Sequence, residues 1–264
     1  MQSASINGIN IHFADDGDPD MPAMVFGNSL GTDFRIWSDV ASRFSNRFRT
    51  ICYDKRGHGL SDCPPGPYKI RNHVDDLAGL LDHLGIQSLV MVGVSVGGLI
   101  GTGLAARMPD RVRALVICDS IPRFGPPSMW DERIAAIRKG GIAALSDAIL
   151  ERWFPPGFRK DPQSGFAAYR NMLERMPVEG YIGSCAALRD ADLTDEARAL
   201  AMPVMYVVGS NDGSTTPEAV RAAHKIVSGS RFEIIDGAGH LPNIEAPEIL
   251  YELISDFLLE NGIE

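Results

Sequence analysis

The sequence predicts an α/β fold, a mostly parallel sheet flanked by helices and carrying one helical insertion. Three observations predict it. Short, continuously apolar runs alternate with amphipathic stretches of helical period. Several of those runs lack polar residues on either face, as strands covered on both sides do. The alternation stops near residue 123 and resumes at Met202-Pro203, with helical periodicity in between.

The elements follow in order. Ser5–Ile11 contains Asn7-Gly8, a hairpin signal. Met21–Phe26 is a short apolar run closed by Gly27, and Phe48–Tyr53 is another, closed by Asp54. Val74, Leu77, Leu80, Leu81 and Leu84 share one helical face, and Gly85 supplies the stop. Ser88–Val94 reads as a central buried strand, and Leu99–Met108 as the Ala/Gly-rich helix after it. Val112–Cys118, Val204–Val208 and Phe232–Ile235 read as further strands. Ile249, Leu250, Leu253, Ile254, Phe257 and Leu258 form the apolar stripe of a last helix. Residues 123–196 are expected to form a helical cap over one edge of the sheet, punctuated by Arg123-Phe124-Gly125-Pro126-Pro127 and Phe154-Pro155-Pro156-Gly157. Residues 1–122 and 197–264 would then form the core domain.

Bulk composition narrows the function. The 264 residues suffice for one such domain with an insertion, and 45% hydrophobic against 22% charged residues allows a large core. A formal net charge of −9 argues against nucleic-acid or anionic-membrane partners. A small anionic substrate would need a local cationic patch. Met1–Ser5 shows no basic or apolar targeting pattern, and no apolar run is long enough to span a bilayer. Cys52, Cys63, Cys118 and Cys185 form no CxxC pair, and Cys52 and Cys118 sit in apolar runs. A reduced, cytoplasmic protein is expected. No metal-ligand pattern occurs and no GxGxxG follows the first strand, so neither a metal nor another cofactor is expected.

The chemistry-bearing feature is Gly93-Val94-Ser95-Val96-Gly97-Gly98, after a buried strand and before a helix. A sharp strand-to-helix turn exposes the serine and crowds its neighbours, so glycines flank it. A serine hydroxyl needs an adjacent base. His240, in Gly237-Ala238-Gly239-His240, lies on a loop after a strand, where catalytic groups of open sheets gather. His73, His83 and His224 fall in helical patterns and are expected to be solvated, which leaves only His58 comparably placed. Asp212, in Val208-Gly209-Ser210-Asn211-Asp212-Gly213, also follows a strand and would orient the imidazole. The chain order Ser95, Asp212, His240 separates this arrangement from the other common serine-hydrolase orders. The oxyanion donors are expected to be the backbone N–H groups of Val96 and of Leu30, the latter in Gly27-Asn28-Ser29-Leu30-Gly31. Asp54-Lys55-Arg56-Gly57-His58-Gly59-Leu60-Ser61 reads as a structural turn, rigidified by Asp–Arg and Ser contacts with His58 satisfied locally.

With these motifs, nearly the whole chain resembles the α/β-hydrolase family, whose post-strand turn Asp54-x-Arg56-Gly57-His58-Gly59-x-Ser61 matches. Within that family it looks most like the 3-oxoadipate enol-lactonases of bacterial aromatic degradation. Five segments carry this narrower resemblance: Asn28–Asp33, Arg152–Phe154, Tyr181–Leu193, Asp212–Thr215 and Gly239-His240. The first replaces the His-Gly that most family members have at this loop. The third lies in the cap, where substrate choice is made. Asn211 departs from the pattern, and the loop Gly237–Asn243 varies among relatives. The resemblance implies an α/β-hydrolase fold and a cofactor-free serine hydrolase acting through an acyl-enzyme. Its small-molecule substrate would be a lactone or ester bearing a carboxylate. A cap arginine, Arg133 or Arg152, is then expected to face the pocket, with Trp130 or Trp153 as an apolar wall. The competing readings are another carboxylesterase, a carbon–carbon bond hydrolase or a cofactor-free perhydrolase of the same fold, and, in a different class, a ligand sensor that keeps the three residues.

Overall fold

The computed structural model describes residues 1–263. β1 (Gln2–Ile6) and β2 (Ile9–Asp16) form the hairpin around Asn7 and Gly8. Both turn residues have positive φ, 50° and 80°, as a two-residue hairpin demands. The remaining strands are β3 (Ala23–Gly27), β4 (Arg49–Tyr53), β5 (Leu89–Val94), β6 (Val112–Cys118), β7 (Val204–Gly209) and β8 (Arg231–Ile235). They form one eight-stranded sheet in the order β1-β2-β4-β3-β5-β6-β7-β8. β2 is antiparallel to β1 and β4, and every other pair is parallel. Every residue of β3, β5 and β7 is buried, which is why those runs carry no polar alternation. β2, near the antiparallel edge, alternates instead.

The helices are α1 (Ser38–Phe44), α2 (Ile70–His83), α3 (Val96–Arg107), α4 (Pro127–Gly140), α5 (Ser146–Trp153), α6 (Pro156–Lys160), α7 (Phe166–Glu174), α8 (Val178–Asp190), α9 (Thr194–Arg198), α10 (Pro217–His224), α11 (Pro242–Glu245) and α12 (Pro247–Glu260). α3 lies across β3, β5 and β6 and packs on α2, while α1 packs on α12 with Phe44 and Tyr251 ring centroids 4.7 Å apart. α4 to α9 all lie between β6 and β7; α4 packs on α8, α8 reaches α2, and α9 packs on α3.

Three expectations need correction. α2 begins at Ile70, a turn before the apolar stripe, because the Asn72 side chain accepts the Lys69 N–H at 2.8 Å and caps the helix. Ile249, counted in the last helix's apolar stripe, is 47% exposed in the first turn of α12. His73 is buried rather than solvated, because α8 crosses α2 at this point. Its ring stands edge-on to Tyr68, and Nε2 lies 3.5 Å from Ser184 Oγ. His224 is also half-buried, with Nδ1 2.7 Å from Ser230 Oγ, whereas His83 is exposed. No helix among the described residues is long and apolar enough to cross a membrane. All four cysteines are free thiols.

Candidate active site

Ser95 is the pivot between β5 and α3, with φ 57° and ψ −121°. That backbone region is strained for a residue with a Cβ, and it turns the side chain out of the sheet. Ser95 N–H donates to Cys118 O at 2.9 Å, which pins the turn to β6. Glycine is obligatory beside it. A Cβ on Gly93 would overlap the Gly97 backbone, and one on Gly97 would overlap the Gly27 carbonyl oxygen.

Asp212 and His240 stand on the loops after β7 and β8, and those loops are tied together. Asn211 N–H donates to Ala238 O at 2.8 Å, and Asn211 Nδ2 donates to Gly237 O at 3.0 Å. Asp212 Oδ1 accepts the N–H groups of Ser214 at 2.6 Å and Thr215 at 3.0 Å. Oδ2 lies 2.8 Å from His240 Nδ1. That pairing places the ring proton on Nδ1 and leaves Nε2 as the acceptor. His240 N–H donates to Trp153 O at 2.8 Å, and Gly213 N–H donates to Arg152 O at 3.1 Å, so the end of α5 fastens both loops.

The loop after β3 makes a tight turn, Thr32 N–H to Ser29 O at 3.3 Å, with Gly31 at φ 76°. Gly31 N–H donates to His58 Nε2 at 3.1 Å, and Lys55 Nζ donates to Ser29 O at 2.6 Å. Among the described residues, the amides of Leu30 and Val96 have no acceptor. Two free N–H groups are what a developing oxyanion requires.

Ser95, His240 and Leu30 line one cavity of about 140 Å³. Arg133, Arg152, Trp130, Trp153 and Tyr181 line the same cavity from the helical segment. Neither arginine has an acidic partner among the described residues. The Arg133 guanidinium sits 5.2 Å over the Trp130 ring, and Arg152 Nε donates only to Ala148 O at 3.3 Å. Burial and the neighbouring Arg133 charge hold the Arg152 guanidinium below its usual pKa. Trp130 Nε1 donates to Phe124 O at 3.0 Å, which leaves its ring as wall.

A profile of the family described as "alpha/beta hydrolase fold" matches residues 22–247. The chain is 32% identical to 3-oxoadipate enol-lactonase 2 of Acinetobacter baylyi over 240 residues, which cover 91% of this chain and 90% of that protein. It superposes on the crystal structure of the enol-lactonase from Burkholderia xenovorans LB400 with a TM-score of 0.94 and 35% identity, covering 98% of this chain and all of that one. A malate-bound thermophilic esterase from Thermogutta terrifontis gives a TM-score of 0.91 at 29% identity, with 99% of both chains covered. This chain belongs to the α/β-hydrolase family.

In this α/β-hydrolase the Asp54–Ser61 turn supports the site from below. Asp54 accepts from His12 Nδ1 at 2.8 Å and from the N–H groups of Phe34 at 2.8 Å and Leu60 at 2.9 Å. Ser61 Oγ donates to Asp54 O at 2.6 Å. The expected Asp–Arg contact is not internal to the turn. Arg56 instead makes a two-pronged pair with Asp76 of α2, at 2.6 and 2.7 Å, because the turn's backbone and His12 already occupy Asp54. His58 does have a local partner, Arg56 O at 3.2 Å from Nδ1, but its Nε2 also holds the Leu30 loop. Burial and the Lys55 charge keep His58 neutral, as accepting that N–H requires.

Sequence reasoning missed Tyr181 and Lys55. Tyr181 is fully buried and lines the hydrolase's cavity, and among the described residues its hydroxyl finds no acceptor, with the Arg133 guanidinium beside it. Its ring packs against Gly31, where a Cβ would meet Cε2 at 2.9 Å. The only sequence signal was its place in the Tyr181–Leu193 segment. Lys55 was not singled out within the Asp54–Ser61 turn, yet it is buried and its ammonium holds the Leu30 loop through Ser29 O.

Proposed function

We propose that this hydrolase is a serine enzyme opening small lactones or esters that bear a carboxylate, with 3-oxoadipate enol-lactone as the substrate. One observation carries the reading: two guanidiniums with no acidic partner among the described residues line the same cavity as Ser95 and His240. An uncompensated half-buried cation is costly, so a pair of them in an acidic protein marks a place for an anion.

Ser95 Oγ attacks the ring carbonyl while its proton passes to His240 Nε2, and Asp212 holds the imidazolium. The tetrahedral oxyanion takes the Leu30 and Val96 N–H groups. The ring C–O bond breaks, the leaving enolate takes the proton from His240, and it settles as a ketone. Water, deprotonated by His240, then attacks the acyl-serine and releases 3-oxoadipate. Residues 123–196 act as the cap over a core formed by 1–122 and 197–264. Arg133 and Arg152 hold the substrate carboxylate against Trp130 and Trp153.

A second reading, an esterase for other small anionic esters, is favoured by the malate-bound neighbour, malate being a dicarboxylate. The test offers the purified protein freshly made enol-lactone beside neutral p-nitrophenyl esters. The lactone is expected to be strongly preferred, and Ser95→Ala to lower kcat by about 10⁶-fold. Arg133→Ala or Arg152→Ala is expected to raise KM for the lactone by about 10- to 100-fold, the worth of one charged hydrogen bond. Preference for neutral esters, with KM unmoved in both arginine variants, removes the carboxylate reading.

A further inference from the structure

β6 delivers a second carboxyl group to the Asp212–His240 pair. Asp119, the residue after Cys118, is fully buried and sits at φ 48°, an unusual backbone for a residue other than glycine. It is tied on both sides to the end of β7. Its N–H donates to Val207 O at 2.8 Å, and its Oδ1 accepts the Gly209 N–H at 2.9 Å. Its Oδ2 finds no N–H or O–H donor among the described residues. Ligand atoms of Asp119, Asp212 and His240 all lie within 4.8 Å of one another.

The charge state follows from what each oxygen touches. A buried carboxylate oxygen without a donor is an unsatisfied charge, and a second carboxylate beside it makes ionisation of both untenable. Asp212 accepts two backbone N–H groups and faces the imidazole, so it is the better place for the negative charge. Asp119 accepts one N–H only. The other titratable groups around it are Cys118 on its own strand, Asp212 after β7, His240 after β8 and Glu245 on α11, and apart from the imidazole all are acids that can add only negative charge. Burial, and then the Asp212 charge, push the Asp119 carboxyl well above the usual carboxylate range.

We propose that Asp119 carries a proton on Oδ2 and, as a neutral acid, donates it in a hydrogen bond to the Asp212 carboxylate, which makes it a positioning residue for the Asp212–His240 pair. This rests on the reading of that pair as the orienting acid and the base. The proton turns an orphaned oxygen into a donor, satisfies Asp212 from a third direction, and leaves the three-residue cluster with one negative charge. That single charge is what the imidazolium meets during turnover.

Two measurements decide it. Infrared difference spectroscopy at pH 8, wild type against Asp119→Asn, should show the carbonyl band of a protonated carboxyl that the variant loses. This readout needs no turnover, so it stands even if the substrate reading fails. Absence of the band overturns the proposal. In kinetics, Asp119→Ala is expected to lose about 10- to 100-fold in kcat with KM held, and Asp119→Asn to recover most of that loss. The amide still offers an N–H to Asp212 and a carbonyl to Gly209. The acid limb of the kcat/KM profile should stay in place in Asp119→Asn, because no charge has been removed. A downward shift of that limb by about one unit would show that Asp119 had been ionised and stabilising the imidazolium, and would overturn the proposal.

Discussion

Tyr181 buries a hydroxyl that finds no acceptor among the described residues, beside the Arg133 guanidinium in the cavity that also holds Arg152 and Ser95. Leaving such a group unpaired costs about 1–3 kcal/mol, so its natural partner is a bound ligand. Tyr181→Phe should therefore leave the melting temperature unchanged or higher, while KM for an anionic substrate rises about 10-fold. Calorimetry beside steady-state kinetics checks both halves. A lower melting temperature with unaltered KM would show that the hydroxyl serves the fold. At this scale the sequence was legible where chemistry demands a residue type at a fixed local position. Ser95, Asp212 and His240 each follow a strand end, and the structure brings them to one site. It was not legible where partners meet across distant elements. Nothing local to Asp119 says that its carboxyl will face Asp212, and nothing in the Asp54–Ser61 turn says that Arg56 will reach α2.

Among the elements, the junction of β3, β5 and α3 sets the tolerance of the site. Gly97 opens α3 directly against the Gly27 carbonyl, so the helix approaches the sheet as closely as backbone allows. Gly97→Ala forces that interface apart and should destabilise the fold by about 1–3 kcal/mol. Because Ser95 and the Val96 amide ride on the same turn, kcat should fall with it. Urea unfolding and kinetics on one preparation test the link, and an unaffected midpoint would contradict it. The strands here were readable because burial on both faces leaves an unbroken apolar run. The helical segment between β6 and β7 was readable as helical, but not in its orientation. Whether Arg133, Arg152, Trp130 and Trp153 converge depends on how α4 and α5 cross, which periodicity does not encode. The start of α2 and the exposure of Ile249 escaped for a related reason. Side-chain capping decides the first, and a place in the solvent-facing first turn of α12 the second, not the apolar stripe.

Over the whole molecule, acidity and burial meet at Glu245. Its carboxylate accepts Gly239 N–H at 3.0 Å and Leu241 N–H at 3.4 Å, bracing the loop that carries His240. Burial raises its pKa to about 7 from an ordinary 4.5. The unfolded chain therefore sheds this proton first, and between those two values folding stability declines as pH rises. Glu245→Gln should flatten that decline, gaining on the wild type by up to about 3 kcal/mol between pH 4.5 and 7 and no further above it. Chemical denaturation across this range measures the slope, and parallel curves would refute the assignment.

The fastening of α5 has a mechanical consequence. The carbonyls of Arg152 and Trp153 already hold the amides of Gly213 and His240. Lifting α5 would therefore drag His240 and Asp212 out of register together. Ser95 and His240 are only 7% and 2% exposed, so a ligand meets them at the bottom of the cavity. Phe124, Gly125 and Met129, from the segment that leaves β6, line another part of the same cavity. The α5 corner is therefore an anchored wall of that cavity, unable to shift without moving the histidine and aspartate it holds.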